Sequence, residues 1–150
     1  MIKSKRFEPI QEIASTSAKD SSRVMAEAGR KVADLEHKLE QLTNYRDEYV
    51  RNSSSSGAID AVKLQNYRSF LDRLGEALNQ HLKSLDIARK EFERRRAQWS
   101  EKRTEAETLN RVIDRFRKEE QYAADGREQR EGDDAAMRRM LAARTDTRNA

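Results

Sequence analysis

The chain has 150 residues, of which 39% are charged and only 35% are hydrophobic. A compact globular domain needs more apolar side chains to build a core, so this composition favours an extended helical fold. The 31 basic and 27 acidic residues are interspersed, and the net charge of +4 is not gathered in a basic arm of the kind that marks nucleic-acid-binding proteins.

The first predicted element is a helix over about 9–51. Pro9 suits the first turn of a helix, because the N–H that proline lacks would have no intrahelical partner there. Apolar residues then recur at alternating steps of three and four, which is the pattern of a coiled-coil seam. The seam of this helix consists of Ala14, Ala18, Ser21, Met25, Ala28, Val32, Leu35, Leu39, Leu42, Arg46 and Tyr49.

Residues 52–57, Asn-Ser-Ser-Ser-Ser-Gly, are turn formers and helix caps, and they predict a loop. A loop this short lets the second helix fold back on the first, so we predict an antiparallel hairpin. A parallel pair of chains is the alternative. With the turn centred near residue 55, Leu39 would pack near Leu71, and Val32 near Leu78.

The second predicted helix covers about 58–123. Its seam is interrupted only by His81, Arg95 and Lys102, and its length favours a coiled coil over an ordinary amphipathic helix. From the sequence alone, His81 is interpreted as a polar residue that sets the register of the seam. The seam consists of Leu64, Tyr67, Leu71, Leu74, Leu78, His81, Leu85, Ala88, Phe92, Arg95, Trp99, Lys102, Ala106, Leu109, Ile113 and Phe116.

The two predicted helices differ in length, at roughly 65 Å and 95 Å for a rise of about 1.5 Å per residue. Folding about residue 55 places Phe7 opposite residue 103, so the rest of the second helix would overhang the first. Its apolar side chains would then need a cover, either a partner protein or a second copy of the chain in a homodimer. The residues concerned are Ala106, Leu109, Val112, Ile113 and Phe116, flanked by Arg111, Arg115, Arg117 and Lys118.

The last segment, 124–150, contains Gly126 and Gly132 among charged residues and predicts a flexible tail. Residues 135–144 are able to form a short helix on a partner. We therefore predict an all-α fold, in which 1–123 form a long two-helix antiparallel coiled-coil hairpin that ends in a frayed C-terminal tail.

The sequence favours a binding protein over an enzyme. It has no phosphate-binding glycine loop, nucleophile elbow or His-Glu-x-x-His pattern, and it has no cysteine for a disulfide or a zinc site. His37 and His81 lie on different helices and lack neighbours that would complete a metal site. We expect no catalytic, cofactor-binding or metal-binding residues. The absence of a long apolar stretch or an apolar signal segment predicts a cytoplasmic protein without membrane insertion.

Aromatic residues near the loop occupy positions where a coiled coil usually carries charge. Tyr45, Phe70 and Ala77 are at g positions of the heptads, and these g positions flank the same edge of an antiparallel pair. An exposed interface and a bulkier core are both consistent with this pattern. The stripes consist of Lys38, Leu42, Tyr45 and Tyr49 on the first helix, and of Phe70, Leu74, Ala77 and His81 on the second.

Three motifs carry a family resemblance. They are Leu42-x-x-Tyr45-x-x-x-Tyr49, then Asn66-Tyr67-x-x-Phe70-x-x-x-Leu74-x-x-Ala77-x-x-x-His81, and Trp99 with its Glu-Lys neighbours. With these motifs the sequence resembles the FliJ family of flagellar type III export proteins over nearly the whole chain. The stripe of Phe70, Leu74, Ala77 and His81 after the tyrosine-bearing segment is its most specific part.

The resemblance implies a non-catalytic, cytoplasmic component of the flagellar type III export apparatus, peripherally associated with the inner membrane. Such a protein would regulate the hexameric export ATPase FliI as a central stalk, contact the export gate protein FlhA and escort export chaperones. It would bind no nucleic acid. The equivalent stalk of an injectisome is one alternative, and a nucleic-acid-binding coiled coil, suggested by the Arg94–Arg96 run, is another.

The resemblance also assigns two surfaces. The gate-contacting residues would be Leu42, Tyr45, Tyr49, Phe70, Leu74, Ala77 and His81, with Lys38 at a position where the family often has glutamine. If the chain is a stalk, the predicted overhang would enter the ATPase. The ATPase-contacting residues would then be Leu109, Val112, Ile113, Phe116, Arg111, Arg115 and Arg117.

Overall fold

The computed structural model describes residues 2–55 and 60–149. Two helices account for nearly all of them: α1 is Lys3–Ser55 and α2 is Ala61–Arg148. The predicted all-α fold class is confirmed. The tertiary contacts divide the chain into two units, each with a part of both helices. Unit 1 is Met1–Thr16 with Arg103–Ala150, and unit 2 is Ser17–Lys102.

Both helices differ in their bounds from the prediction. α1 begins before Pro9 and continues through Ser55, so the part of the predicted loop at 52–55 is helical, while 56 and 57 lie outside the described residues. Serine and asparagine are only moderately poor helix formers, and continuing the helix keeps the backbone hydrogen bonds that a loop would give up.

The start of α2 is set by Asp60. The Asp60 carboxylate accepts a hydrogen bond from the Lys63 N–H at 2.7 Å, and the Asp60 carbonyl oxygen accepts one from the Leu64 N–H at 3.0 Å. This is the geometry of an N-cap residue, in which the side chain satisfies an N–H of the first turn. The helix therefore begins at Ala61 and not at the predicted residue 58.

The C-terminal segment is helical, contrary to the predicted flexible tail from 124. Neither Gly126 nor Gly132 has a positive φ, and α2 runs through both. Each glycine costs about 1 kcal/mol relative to alanine, but the alanines, arginines and leucine that follow are strong helix formers. Thr145 and Thr147 donate hydroxyl hydrogen bonds to carbonyls of the preceding turn. The predicted short helix at 135–144 is a part of α2.

In unit 2 the helices run antiparallel, because Tyr49 contacts Tyr67 whereas Gly29 lies against Phe92. The predicted seam of α2 forms the core: its members in this unit are half-buried or buried, except Leu64. All predicted seam positions of α1 are half-buried. The most deeply buried side chains in the described part of unit 2 are Leu74, Leu78, Leu85 and Ala88, with exposed fractions of 3–8%.

The register in unit 2 differs from the predicted pairing of Leu39 with Leu71 and Val32 with Leu78, which is wrong. A turn at residue 55 would put Gly29 near His81, but its neighbour is the ring of Phe92. When a turn moves by one residue along the chain, the pairing between the helices shifts by two residues. The turn lies later than residue 55, because α1 extends to Ser55. Long side chains on a helix generally lean toward the N-terminus of that helix, and such a lean of the Phe92 ring would add to the shift.

In unit 1 the start of α1 packs along α2, so the predicted overhang beyond residue 103 is wrong. The rings of Phe7 and Phe116 lie 5.4 Å apart, and Ser4 hydrogen-bonds Glu120. Ile113 is only 3% exposed. The later turn and the earlier start of α1 together give this part of α2 a helix-one partner.

Candidate partner-binding surfaces

An aromatic cluster joins the two helices of unit 2 near the turn. Tyr49 lies between two rings, stacked on Tyr67 at 5.4 Å and tilted against Phe70 at 4.4 Å between centroids. Tyr45 meets Phe70 edge-on at 6.2 Å and remains 52% exposed. We call Tyr45, Tyr49, Tyr67 and Phe70 the aromatic patch. Its inner rings support the pairing of the helices, and Tyr45 offers an apolar face to a partner.

A groove of about 430 Å³ lies beside Tyr45. Leu42 and the Tyr45 ring provide its apolar surface, and His81 from α2 provides a group that donates or accepts hydrogen bonds. Lys38 and Gln41 also line it. We call this the first groove. A cation beside an apolar floor suits a partner segment that combines an apolar side chain with a carboxylate.

The aromatic patch and the first groove lie on one edge of unit 2. Three residues at g positions lie on this edge. Tyr45 of α1 contacts Phe70 of α2, and Tyr45 and Lys38 of α1 line the first groove. The other edge carries a different chemistry, since Arg89 pairs with Glu36 at 3.2 Å between two e positions. We call the edge that carries Tyr45, Lys38 and Phe70 the aromatic edge. Only this edge exposes an aromatic ring in the described part of unit 2.

The seven residues assigned to the gate contact are not equivalent. Tyr45 is exposed, and Leu42, Tyr49, Phe70, Ala77 and His81 are half-buried. Leu74 is 8% exposed and belongs to the core, so its side chain has little surface to offer to a partner. Gln41 and Tyr67 were missed. Tyr67 occupies a predicted seam position, whereas nothing in the heptad position of Gln41 distinguishes it from a solvent-exposed residue.

The second assigned surface, in unit 1, is mostly covered by α1. Ile113 is buried, and Leu109, Val112 and Phe116 are half-buried. Arg117 pairs with Glu8 at 3.0 Å, and the Arg115 guanidinium lies 5.6 Å from the Phe116 ring centre. Arg111 and Arg115 remain exposed. This surface therefore presents cations to solvent, and not the bare apolar stripe that the sequence predicted.

The N-terminus of α1 is capped by a residue of α2. Ser4 donates its backbone N–H to Glu120 Oε1 at 3.0 Å and its hydroxyl to Oε2 at 2.7 Å. The first turn of α1 contains no acidic residue, so Glu120 provides the negative charge that a helix N-terminus favours. The hydrogen bonds from Ser4 hold the pKa of Glu120 below its usual value. Ser4 is itself buried, which makes this cap a structural feature of unit 1.

Comparison with known proteins identifies the family. The family model described as flagellar FliJ protein matches residues 3–145. The chain belongs to the flagellar FliJ family. It is 24% identical over 134 residues to the flagellar FliJ protein of Escherichia coli (strain K12), covering 88% of this chain and 91% of that protein. It is also 24% identical over 137 residues to the flagellar FliJ protein of Salmonella typhi, covering 90% of this chain and 93% of that protein.

Membership of the FliJ family makes the chain a component of flagellar protein export, and the resemblance noted in the sequence is confirmed. In the described residues, no three histidine, cysteine or acidic side chains are grouped so that they could hold a metal ion. None of the helices, as far as they are described, has an apolar stretch long enough to cross a membrane.

Proposed function

We propose that this chain acts as a non-catalytic binding component of the export apparatus, and that the aromatic edge of unit 2 contacts the export gate. The observation that carries the proposal is the exposure of Tyr45 at the mouth of the first groove, beside Leu42 and His81. Exposed aromatic rings next to a concave apolar surface are typical anchors of protein interfaces. The FliJ-family resemblance assigns the gate contact to the same residues.

The inner members of the patch have a different part in this proposal. Tyr49 and Phe70 lie ring against ring, so they fix the position of Tyr45 more than they touch the partner. Leu74 belongs to the core of unit 2. Tyr45 and His81 are therefore the side chains through which the gate protein would be bound directly.

Binding of the soluble cytoplasmic region of the export gate protein, measured by isothermal titration calorimetry, tests this function. Tyr45→Ala should weaken binding by about 2 kcal/mol or more, because a central aromatic anchor is lost. Tyr122→Ala is the matched control, since Tyr122 is 82% exposed and lies in unit 1. Helical content should be unchanged in both variants. Equal affinities of the Tyr45→Ala variant and the unchanged chain would refute the gate contact.

The same proposal gives unit 1 a role in regulating the export ATPase as a central stalk. Since the apolar side chains there are covered by α1, the contact would be made by the exposed cations Arg111 and Arg115. These cations would meet acidic groups lining the axial opening of the ATPase hexamer. Export chaperones would be escorted by the same chain, which would work in the cytoplasm, peripheral to the inner membrane.

Charge reversal tests the ATPase contact. Arg111→Glu combined with Arg115→Glu should abolish stimulation of ATP hydrolysis, because two attractive contacts become repulsive. Arg68→Glu combined with Lys83→Glu makes the same change of charge at exposed positions of unit 2 and should leave stimulation intact. Gate binding should be unaffected in the unit 1 variant. Normal stimulation by the Arg111 and Arg115 double variant would argue against this surface.

A further inference from the structure

A second groove, of about 460 Å³, lies on the aromatic edge of unit 2. Its floor is formed by Ala28 of α1 and Ala88 of α2, whose small side chains leave space between the helices. Ala88 is a core residue, so the groove reaches down to the seam. Ile87 lies on its rim and is 68% exposed. An isoleucine this exposed beside an open apolar floor is a surface that a partner would bury.

The charges around the second groove are mainly positive. Lys31, Lys90 and Arg94 line it, with Glu91 as the one carboxylate. Glu91 accepts hydrogen bonds from Arg94 at 2.8 and 3.0 Å and from Arg95 at 2.8 Å. The hydrogen bonds from Arg94, followed by that from Arg95, lower the pKa of Glu91. The carboxylate is thereby engaged by its own helix and leaves the groove with a net positive lining.

Lys31 is the cation best placed to meet a partner's carboxylate. Lys90 pairs with Asp86 at 3.0 Å, and Arg94 with Glu91. Over residues 2–55 and 60–149, Lys31 makes no ion pair, and its side chain is exposed. An acidic group arriving at this edge would therefore not have to displace an existing partner of Lys31.

The two grooves repeat one another along the hairpin. Lys31 and Lys38 are both g positions of α1, one heptad apart, and each lines one groove. Ala88 and His81 are likewise one heptad apart in α2. One heptad advances a helix by about 10.5 Å. A partner that fills both grooves must therefore present two side chains at about this spacing on one of its faces.

We propose that the second groove binds an acidic amphipathic helix of a partner protein, which places one apolar side chain in each groove and its carboxylates beside Lys31 and Lys38. Residues seven apart on a helix lie on the same face and are about 10.5 Å apart, which matches the two grooves. In an extended strand, two residues at this distance are about three positions apart, and their side chains point to opposite faces. The two grooves select the bound segment by its chemistry, whichever flagellar protein carries it.

A pair of synthetic helical peptides tests this chemistry on the full chain. One carries two leucines seven residues apart, flanked by glutamates, and the other has lysines in place of the glutamates. Fluorescence anisotropy of the labelled peptides gives both affinities. The glutamate peptide should bind at least about tenfold more tightly, and its affinity should fall with added salt. A glutamate peptide with the leucines five residues apart should bind more weakly, because they lie on different faces.

Matched variants locate the peptide on the chain. Ile87→Ser combined with Lys31→Glu should weaken the glutamate peptide about tenfold or more. Leu82→Ser combined with Lys83→Glu makes the same chemical changes at exposed positions of α2 outside the groove lining, and binding should be unchanged. Circular dichroism establishes that both variants keep their helicity, since both changes lie on exposed side chains.

Three results would overturn the inference. The first is equal affinity for the glutamate and lysine peptides. The second is an unchanged affinity in the variant of Ile87 and Lys31. The third is a dimer, measured by sedimentation of the chain alone, that dissociates in the same variant, because a second copy would then occupy the groove. The gate contact shares the first groove, but it is tested separately, with Tyr45→Ala and the gate protein.

Discussion

Two glycines of unit 2 provide a test of the register between its helices. A Cβ added at Gly29 would lie 3.2 Å from Cε2 of Phe92, whereas a Cβ added at Gly75 would meet nothing within 4 Å. Alanine is the better helix former at both positions by about 1 kcal/mol. The same substitution therefore gains the same helix propensity at both sites but meets a neighbour at only one.

The expected magnitudes follow from these distances. Gly75→Ala should raise the free energy of unfolding by about 0.5–1 kcal/mol. Gly29→Ala forces the Phe92 ring to move by a few tenths of an ångström, and overpacking of this kind costs about 1–3 kcal/mol. The net effect at Gly29 should be neutral or destabilising. The two variants should thus differ by about 1 kcal/mol or more.

Urea denaturation followed by the helical circular dichroism signal measures both variants. Adding Phe92→Leu to Gly29→Ala should recover the propensity gain, because the smaller side chain removes the close contact. This makes a double-mutant cycle in which the coupling energy reports the contact directly. If Gly29→Ala stabilises the chain as much as Gly75→Ala does, then Phe92 does not pack on Gly29, and the register described for unit 2 is incorrect.

Two further predictions concern the helix ends. The hydrogen bonds from Ser4 lower the pKa of Glu120, so their stabilising contribution is complete above the ordinary glutamate value of 4.5 and is lost as the pH falls through the lowered value. Acid should therefore destabilise the unchanged chain more than the Glu120→Gln variant. An equal fall of the two melting temperatures between neutral and acidic pH would contradict this. Asp60→Ala removes the cap of α2 and should lower the free energy of unfolding, measured by urea denaturation, by about 1 kcal/mol, whereas Asp60→Ser keeps a capping oxygen and should lower it less. Equal losses in the two variants would show that the hydrogen bond from the Lys63 N–H to Asp60 contributes nothing.

The seam was predictable because it depends on periodicity alone. Steps of three and four identified the core positions of both helices, and Leu74, Leu78 and Leu85 are indeed buried. The pairing between the helices was not predictable in the same way, because it depends on where the turn lies. The serines at 53–55 fit a loop or a last helical turn almost equally well, and they proved helical.

The candidate site was predictable only in part. Tyr45 was identified because an aromatic ring at a g position is unusual, and its exposure agrees with that interpretation. The second groove left no such signal. Ala28 and Ala88 are ordinary seam residues in the sequence, and the space between them appears only when the correct register brings two small side chains to the same level.

The cap of α1 by Glu120 has a consequence for the order in which the chain folds during synthesis. Ser4 and its capping carboxylate are 116 residues apart, so the start of α1 leaves the ribosome long before its partner exists. Tyr49 and Tyr67 are near neighbours in sequence, and the cost of closing a loop rises by roughly 0.6 kcal/mol for each doubling of its length. Pairing should therefore begin at the aromatic patch, and the first residues to be translated should be among the last to acquire their final hydrogen bonds.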